Sequence, residues 1–88
     1  MKYTWKRGGV NSEGFKEHYL DLGSLKLILE TRPRGTSGTS NFEGYYQIEE
    51  GPRIHLGSHM VFSAAKYDCM RVFDLVPEKS GLLNENPR

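Results

Sequence analysis

Residues 62–76, FSAAKYDCMRVFDLV, are the one stretch of this chain with convincing helical spacing, and everything before them reads as strands and turns. A single amphipathic helix must bury its apolar stripe against another element, and in a chain of 88 residues the available partner is a sheet built from the remainder. Small domains bury a low fraction of their surface, so nearly every large apolar side chain has to enter one core. The expected architecture is α+β: a small antiparallel sheet of three to four strands packed by one C-terminal helix. Residues 1–77 form that single domain, and residues 78–88 read as a flexible polar tail around the Leu82-Leu83 pair.

Within the helix, Ser63 is placed as the N-cap, since its hydroxyl can accept from first-turn amides, and Phe62 before it is placed to pack on Tyr67. Helical spacing gathers Ala65, Cys69, Val72, Phe73 and Val76 on one stripe, with Tyr67, Arg71 and Asp74 opposite. Pro77 stops the helix.

The strands follow from period-two alternation. Tyr3 and Trp5 alternate with polar neighbours over residues 2–6, and Gly8-Gly9 then breaks the pattern. Residues 15–22 lack a clean period; strand is preferred there, with helix as the alternative. Leu22-Gly23-Ser24-Leu25 is a two-residue hairpin signal, because glycine tolerates the positive φ such turns require. Residues 25–31 then set Leu25, Leu27 and Leu29 on one face, with Lys26 and Glu30 facing out around Ile28. Pro33 ends that strand, and residues 34–41 (RGTSGTSN) read as a mobile hairpin loop. Phe42, Tyr46 and Ile48 form one face of the next strand, Tyr45 and Gln47 the other. Residues 53–56 either extend the sheet or cross to the helix, with Pro52 limiting pairing at their start. Gly57-Ser58-His59-Met60 matches a common expression-vector scar, but its place between segments of one domain makes coincidence the better reading.

Twelve Lys and Arg against eleven Asp and Glu give a net charge of +1, so no strong field draws the whole molecule to nucleic acid or to an anionic membrane. The single cysteine excludes an internal disulfide, and no apolar run approaches the roughly 20 residues of a spanning helix. The start, MKYTWKRGG, has no apolar h-region. A reducing cytoplasm and no membrane contact are the expectation.

Little in the sequence carries chemistry. His18, His55, His59 and Cys69 are candidate metal ligands, but His55 and His59 lie four apart across Gly57-Ser58 and not on a helix, and Cys69 falls on the core stripe. Glu49 and Glu50 are neighbours that point to opposite faces and so form no acid–base pair. No phosphate-binding or nucleophile motif occurs. The reading is a protein without catalytic residues, metal or cofactor.

What remains is a surface. A small sheet packed by one helix has an uncovered face, and Tyr46 filling the core leaves Tyr45 on that face. Arg32 and Arg34 stand at one side of the long loop, with Arg53 beside them if the flanking strands pair. Tyr and Arg are the residue types that anchor interfaces, so Arg32, Arg34, Tyr45 and Arg53 are the candidate partner-binding residues. The first expectation is a protein partner, with nucleic acid as the alternative and homodimerisation through an edge strand left open. Trp5-Lys6-Arg7 is a second basic-aromatic grouping, with Trp5 read as core.

The order Trp5, Phe15-x-x-x-Tyr19, Leu22-Gly23-x-Leu25-x-Leu27-x-Leu29, Tyr45-Tyr46, Gly57 and Phe62-Ser63-x-x-Lys66 resembles small β-β-β-α accessory proteins of phages and mobile elements, over roughly residues 5–76. Their helices start at Gly-x-Ser-x-x-Ala-Lys; here Gly57 stands further from Ser63, and Ala65-Lys66 follows more closely. The resemblance implies a factor that binds and blocks or tunes a host macromolecule. The chain also resembles the three-stranded-sheet-plus-helix DNA-binding domains of the AP2 and integrase arm-binding kind. That resemblance implies groove reading through Arg32, Arg34 and Tyr45, although the near-neutral charge departs from the basic pattern of such domains.

Overall fold

Gly23 turns the chain as its sequence predicts: with φ of 93° it occupies the first central position of a two-residue turn, closed by the Leu22 amide donating to the Leu25 carbonyl at 2.8 Å. The hairpin joins two strands of a larger sheet. In the computed structural model, which describes residues 3–33 and 39–75, the elements run β1 (Lys6–Val10), β2 (Lys16–Asp21), β3 (Leu25–Pro33), β4 (Ser40–Ile48), β5 (Arg53–His59) and α1 (Phe62–Val72). The strands form one antiparallel sheet in the order β1-β2-β3-β4-β5. The fold is α+β as expected, but with five strands in place of three to four.

Both outer strands account for the difference. Gly8 and Gly9 do not break β1 but lie inside it: Arg7 pairs with His18 and Gly9 with Glu17, leaving Gly8 as the additional residue of a bulge, and Gly9 takes φ of 87°. At the other edge Pro52 stands just before β5, where its missing N–H takes nothing from the ladder. Gly57, Ser58 and His59 pair with Gly44, Glu43 and Phe42, so most of the scar-like tetrapeptide is integral to the sheet.

Residues 15–22 resolve as the strand β2. Leu20, Leu27 and Leu29 point to one side and form the core with Ala65 and Cys69 of α1. The helix lies over β3, β4 and β5. Its approach is set by Gly44, where a β-carbon would stand 2.6 Å from the Cys69 sulfur.

Both helix ends differ from expectation. Val61, extended at φ −126° and ψ 129°, is the N-cap, its carbonyl accepting from the Ala65 amide at 3.0 Å; Ser63 lies inside the first turn and caps nothing. Phe62 packs on His18 and Phe42, with centroids 4.9 and 5.4 Å away, while Tyr67 is exposed. At the other end Asp74 adopts φ of 58°, the Leu75 amide donates to the Met70 carbonyl at 2.9 Å and the Asp74 amide to that of Arg71 at 3.0 Å. This Schellman turn closes the helix at Val72. The buried stripe is Phe62, Ala65, Cys69, Phe73 and Met70, so Val72 lies beyond its margin and is 50% exposed. Val76, Pro77 and the tail 78–88 lie outside the described residues, as do residues 34–38 of the long loop. Among the described residues no helix is long and apolar enough to cross a membrane.

Candidate functional site: the curled open face

On the side away from the helix, strand pairing sets three parallel rows: Glu17–Glu30–Glu43–Ser58, Tyr19–Ile28–Tyr45–His55, and Asp21–Lys26–Gln47–Arg53. The expectation that this face is bare and that Glu30 faces solvent is overturned. Ile28 is 1% exposed and Glu30 is 4% exposed. Among the described residues no second layer covers them; the sheet curls and its own side chains close over the central row. Arg53 of β5 reaches Glu17 of β2 across both intervening strands, with hydrogen bonds of 2.7 and 3.2 Å. That diagonal runs from the third row to the first and so crosses the row that holds Ile28.

Three glutamates side by side would repel one another unless each is compensated. Each is. Glu30 accepts from Asn11 Nδ2 at 2.6 Å, from Arg32 Nε at 2.6 Å and from the Tyr45 hydroxyl at 3.4 Å. Glu17 is held by Arg53 and by Asn11 at 3.0 Å, and Glu43 by His55 Nε2 at 2.8 Å and Ser58 Oγ at 2.5 Å. Burial pushes the Glu17 carboxyl up, but the bonds from Arg53 and Asn11 outweigh it and leave it below its ordinary value. Burial likewise raises Glu43, and Ser58 with His55 more than reverse this. The Tyr45 phenol is pushed up, first by burial and then by the Glu30 charge. Arg32 is held above its usual range by its bond to Glu30, and its guanidinium also lies 4.9 Å from the Phe15 ring centroid.

The structure brings together three of the four residues expected from sequence. Arg32, Tyr45 and Arg53 line one open depression of about 490 Å³ with Asn11, Glu13 and Glu30. Arg34 lies outside the described residues. Tyr45 is half-buried where full exposure was expected. Asn11, Glu17 and Glu30 were not anticipated, although the turn at Gly23-Ser24 contains the signal: residues equidistant from it pair, which sets Glu17 opposite Glu30.

The candidate ligands of a metal separate. A bulge at Leu56, between the pairs Gly44–Gly57 and Tyr45–His55, sends His55 to the open face and His59 to the helix side, where it meets Asp68 at 3.2 Å. Cys69 is buried, and burial pushes its thiol up to about 11, away from nucleophile chemistry. Comparison with protein-family models, with curated proteins and with solved structures finds no match.

Proposed function

We propose that the protein is a non-catalytic binding module that docks another protein on its curled open face around Tyr45, Arg32 and Arg53, in the manner of a phage-type accessory factor acting on a host macromolecule. The observation that carries this reading is the buried Glu30 carboxylate, which fixes Arg32 at 2.6 Å and Tyr45 at 3.4 Å. Side chains held in place before association lose less rotamer freedom on binding, and Tyr and Arg are the types that anchor interfaces.

The same contacts weigh against the DNA-binding alternative. Arg32 and Arg53 are neutralised within the chain, and Glu13, Glu17, Glu30 and Glu43 surround them, so a phosphate approaching this face meets carboxylates first. Self-association through an outer strand is also disfavoured, because a bulge interrupts the ladder at each edge.

Affinity capture from a host lysate, followed by direct binding to the purified partner, tests the reading. Tyr45→Ala and Arg32→Ala are each expected to weaken binding at least about tenfold, the loss typical of an interface anchor, while Tyr67→Ala on the exposed helix face leaves it unchanged. Equal binding by all three variants removes this face as the interface. A mobility shift with duplex DNA that weakens steeply with salt and is abolished by Arg32→Ala establishes the alternative.

A further inference from the structure

Because α1 lies over β3, β4 and β5, it meets the β1–β2 hairpin only at its margin, where Leu20 is buried and Phe62 packs on His18, and leaves β1 exposed along its length. In the corner so formed Arg7 pairs across the strands with His18, and Lys16, two residues from His18, shares its face of β2. Lys66 enters from the helix. Its ammonium lies 5.1 Å from the centroid of the Phe62 ring, and that ring packs edge-on against the His18 imidazole at 4.9 Å. Arg7, Lys16 and His18 line one depression of about 320 Å³ with Gly9, Val10 and Glu17, whose carboxylate is engaged by Arg53 and Asn11.

Among the described residues the charges in this corner are uncompensated. Arg32, Arg53 and Arg71 hold carboxylates at 2.6, 2.7 and 2.8 Å. Among the described residues Arg7, Lys16 and Lys66 hold none. His18 Nδ1 is buried without a hydrogen-bond partner. The imidazole is pushed below its ordinary pKa by burial and then by Arg7, Lys66 and Lys16, so the nearby charges acting on it are cations. The first turn of α1, which begins at Phe62, contains no acidic residue and has no side-chain cap, adding potential of the same sign. Three free cations around an unsatisfied ring nitrogen cost the folded chain stability unless an anion completes them.

We propose that this corner is a binding site for the phosphate group of a small phosphorylated ligand, a monoester or a diphosphate. The Arg7 guanidinium supplies a planar fork that fits two phosphate oxygens, Lys16 and Lys66 act as point charges, and His18 donates from its ring once protonated. Three cations match a doubly charged phosphate better than a single carboxylate. Arg7 and Lys16 line one depression, Lys66 acts on His18 from the helix beside it, and the three are not strung along a groove, which favours a discrete group over a nucleic-acid backbone.

The test is an NMR titration of the full chain with inorganic pyrophosphate at constant ionic strength. Saturable shifts are expected at Arg7, His18 and Lys66, together with a rise in the His18 pKa at saturation, as an anion there reverses the local field. Arg7→Gln and Lys66→Gln each weaken binding about tenfold, the loss of one charge-assisted hydrogen bond, while Lys26→Gln on the opposite face has no effect. Absence of saturable shifts overturns the proposal, as does an equal response to chloride. A single-stranded oligonucleotide that binds with steep salt dependence where pyrophosphate does not overturns the discrete site in favour of a backbone-tracking surface.

Discussion

Arg53 and Glu17, on strands separated by two others, are joined by paired hydrogen bonds of 2.7 and 3.2 Å that strap the sheet over Ile28. A pair with one partner as open as Arg53 ordinarily contributes little, but this one is bidentate and holds the curl that keeps Ile28 dry. Arg53→Ala is expected to cost about 1 kcal/mol in urea denaturation, with a coupling to Glu17→Ala of about 0.5–1 kcal/mol in a double-mutant cycle. Additive single losses would show that the curl is held by the strands alone.

The contact between Gly44 and Cys69 gives a sharper prediction, because its sign opposes propensity. Alanine generally suits a strand better than glycine, yet a β-carbon at Gly44 would stand 2.6 Å from the Cys69 sulfur. Gly44→Ala should therefore destabilise the protein, by about 1–3 kcal/mol as for other overpacked cores. Cys69→Ala removes the sulfur, so adding it to Gly44→Ala should recover most of that loss. Equal losses in both backgrounds would place the strain elsewhere.

How much of this was legible in the sequence depended on whether the signal was local. Gly23-Ser24 announces its turn because one residue's φ decides it, and Leu25, Leu27 and Leu29 announce their strand because alternation is a nearest-neighbour pattern. Gly8-Gly9 misled because the same dipeptide that ends a strand also makes a bulge, and the choice lies in the partner strand. Glu30 misled for a related reason. A glutamate in an alternating strand reads as solvent-facing until Asn11 of the β1–β2 turn and Tyr45 of β4 join Arg32 of its own strand around it. Arg32, Tyr45 and Arg53 were found as residue types suited to an interface, but the pairing of Tyr45 and Arg53 with carboxylates of other strands depends on register and curvature.

Asp74 ends the helix in a conformation that glycine adopts more readily, with φ of 58°, and it brings a negative charge to the negative end of the helix dipole. Asp74→Gly is expected to stabilise the protein by about 0.5–1 kcal/mol. Asp74→Asn, which removes the charge and still tolerates this φ, should recover a smaller and salt-dependent part. The urea midpoint is the readout, and a loss of stability in Asp74→Gly would show that the aspartate side chain makes a contact outweighing both effects.

Stability should fall in two steps on acidification. His18 faces Arg7 of β1, Lys16 of its own strand, Leu29 of β3, and Phe62 and Lys66 of α1, and among the described residues no carboxylate bonds its ring, Glu17 nearby being held by Arg53. Its pKa is lowered from 6.5 by burial and by those three cations, so the unfolded chain binds the proton first. The stability tied to neutral His18 is complete above pH 6.5 and is lost as pH falls through that value toward the folded pKa. Glu17, Glu43 and Asp68 lie below their ordinary values of 4.5, 4.5 and 3.8. For Glu17 and Glu43 burial acts the other way and is outweighed by hydrogen bonds; for Asp68 the bond from Arg71 is the largest influence. Their contribution is complete above about pH 4.5 and is lost as pH falls through their folded values. Urea midpoints followed in chloride buffers from pH 7.5 to 3 should therefore decline first below pH 6.5 and again in the carboxylate range. His18→Gln should flatten the upper decline and leave the lower one. An upper decline unchanged in that variant would assign it to another group and remove His18 as the acid-sensitive element of the helix-side corner.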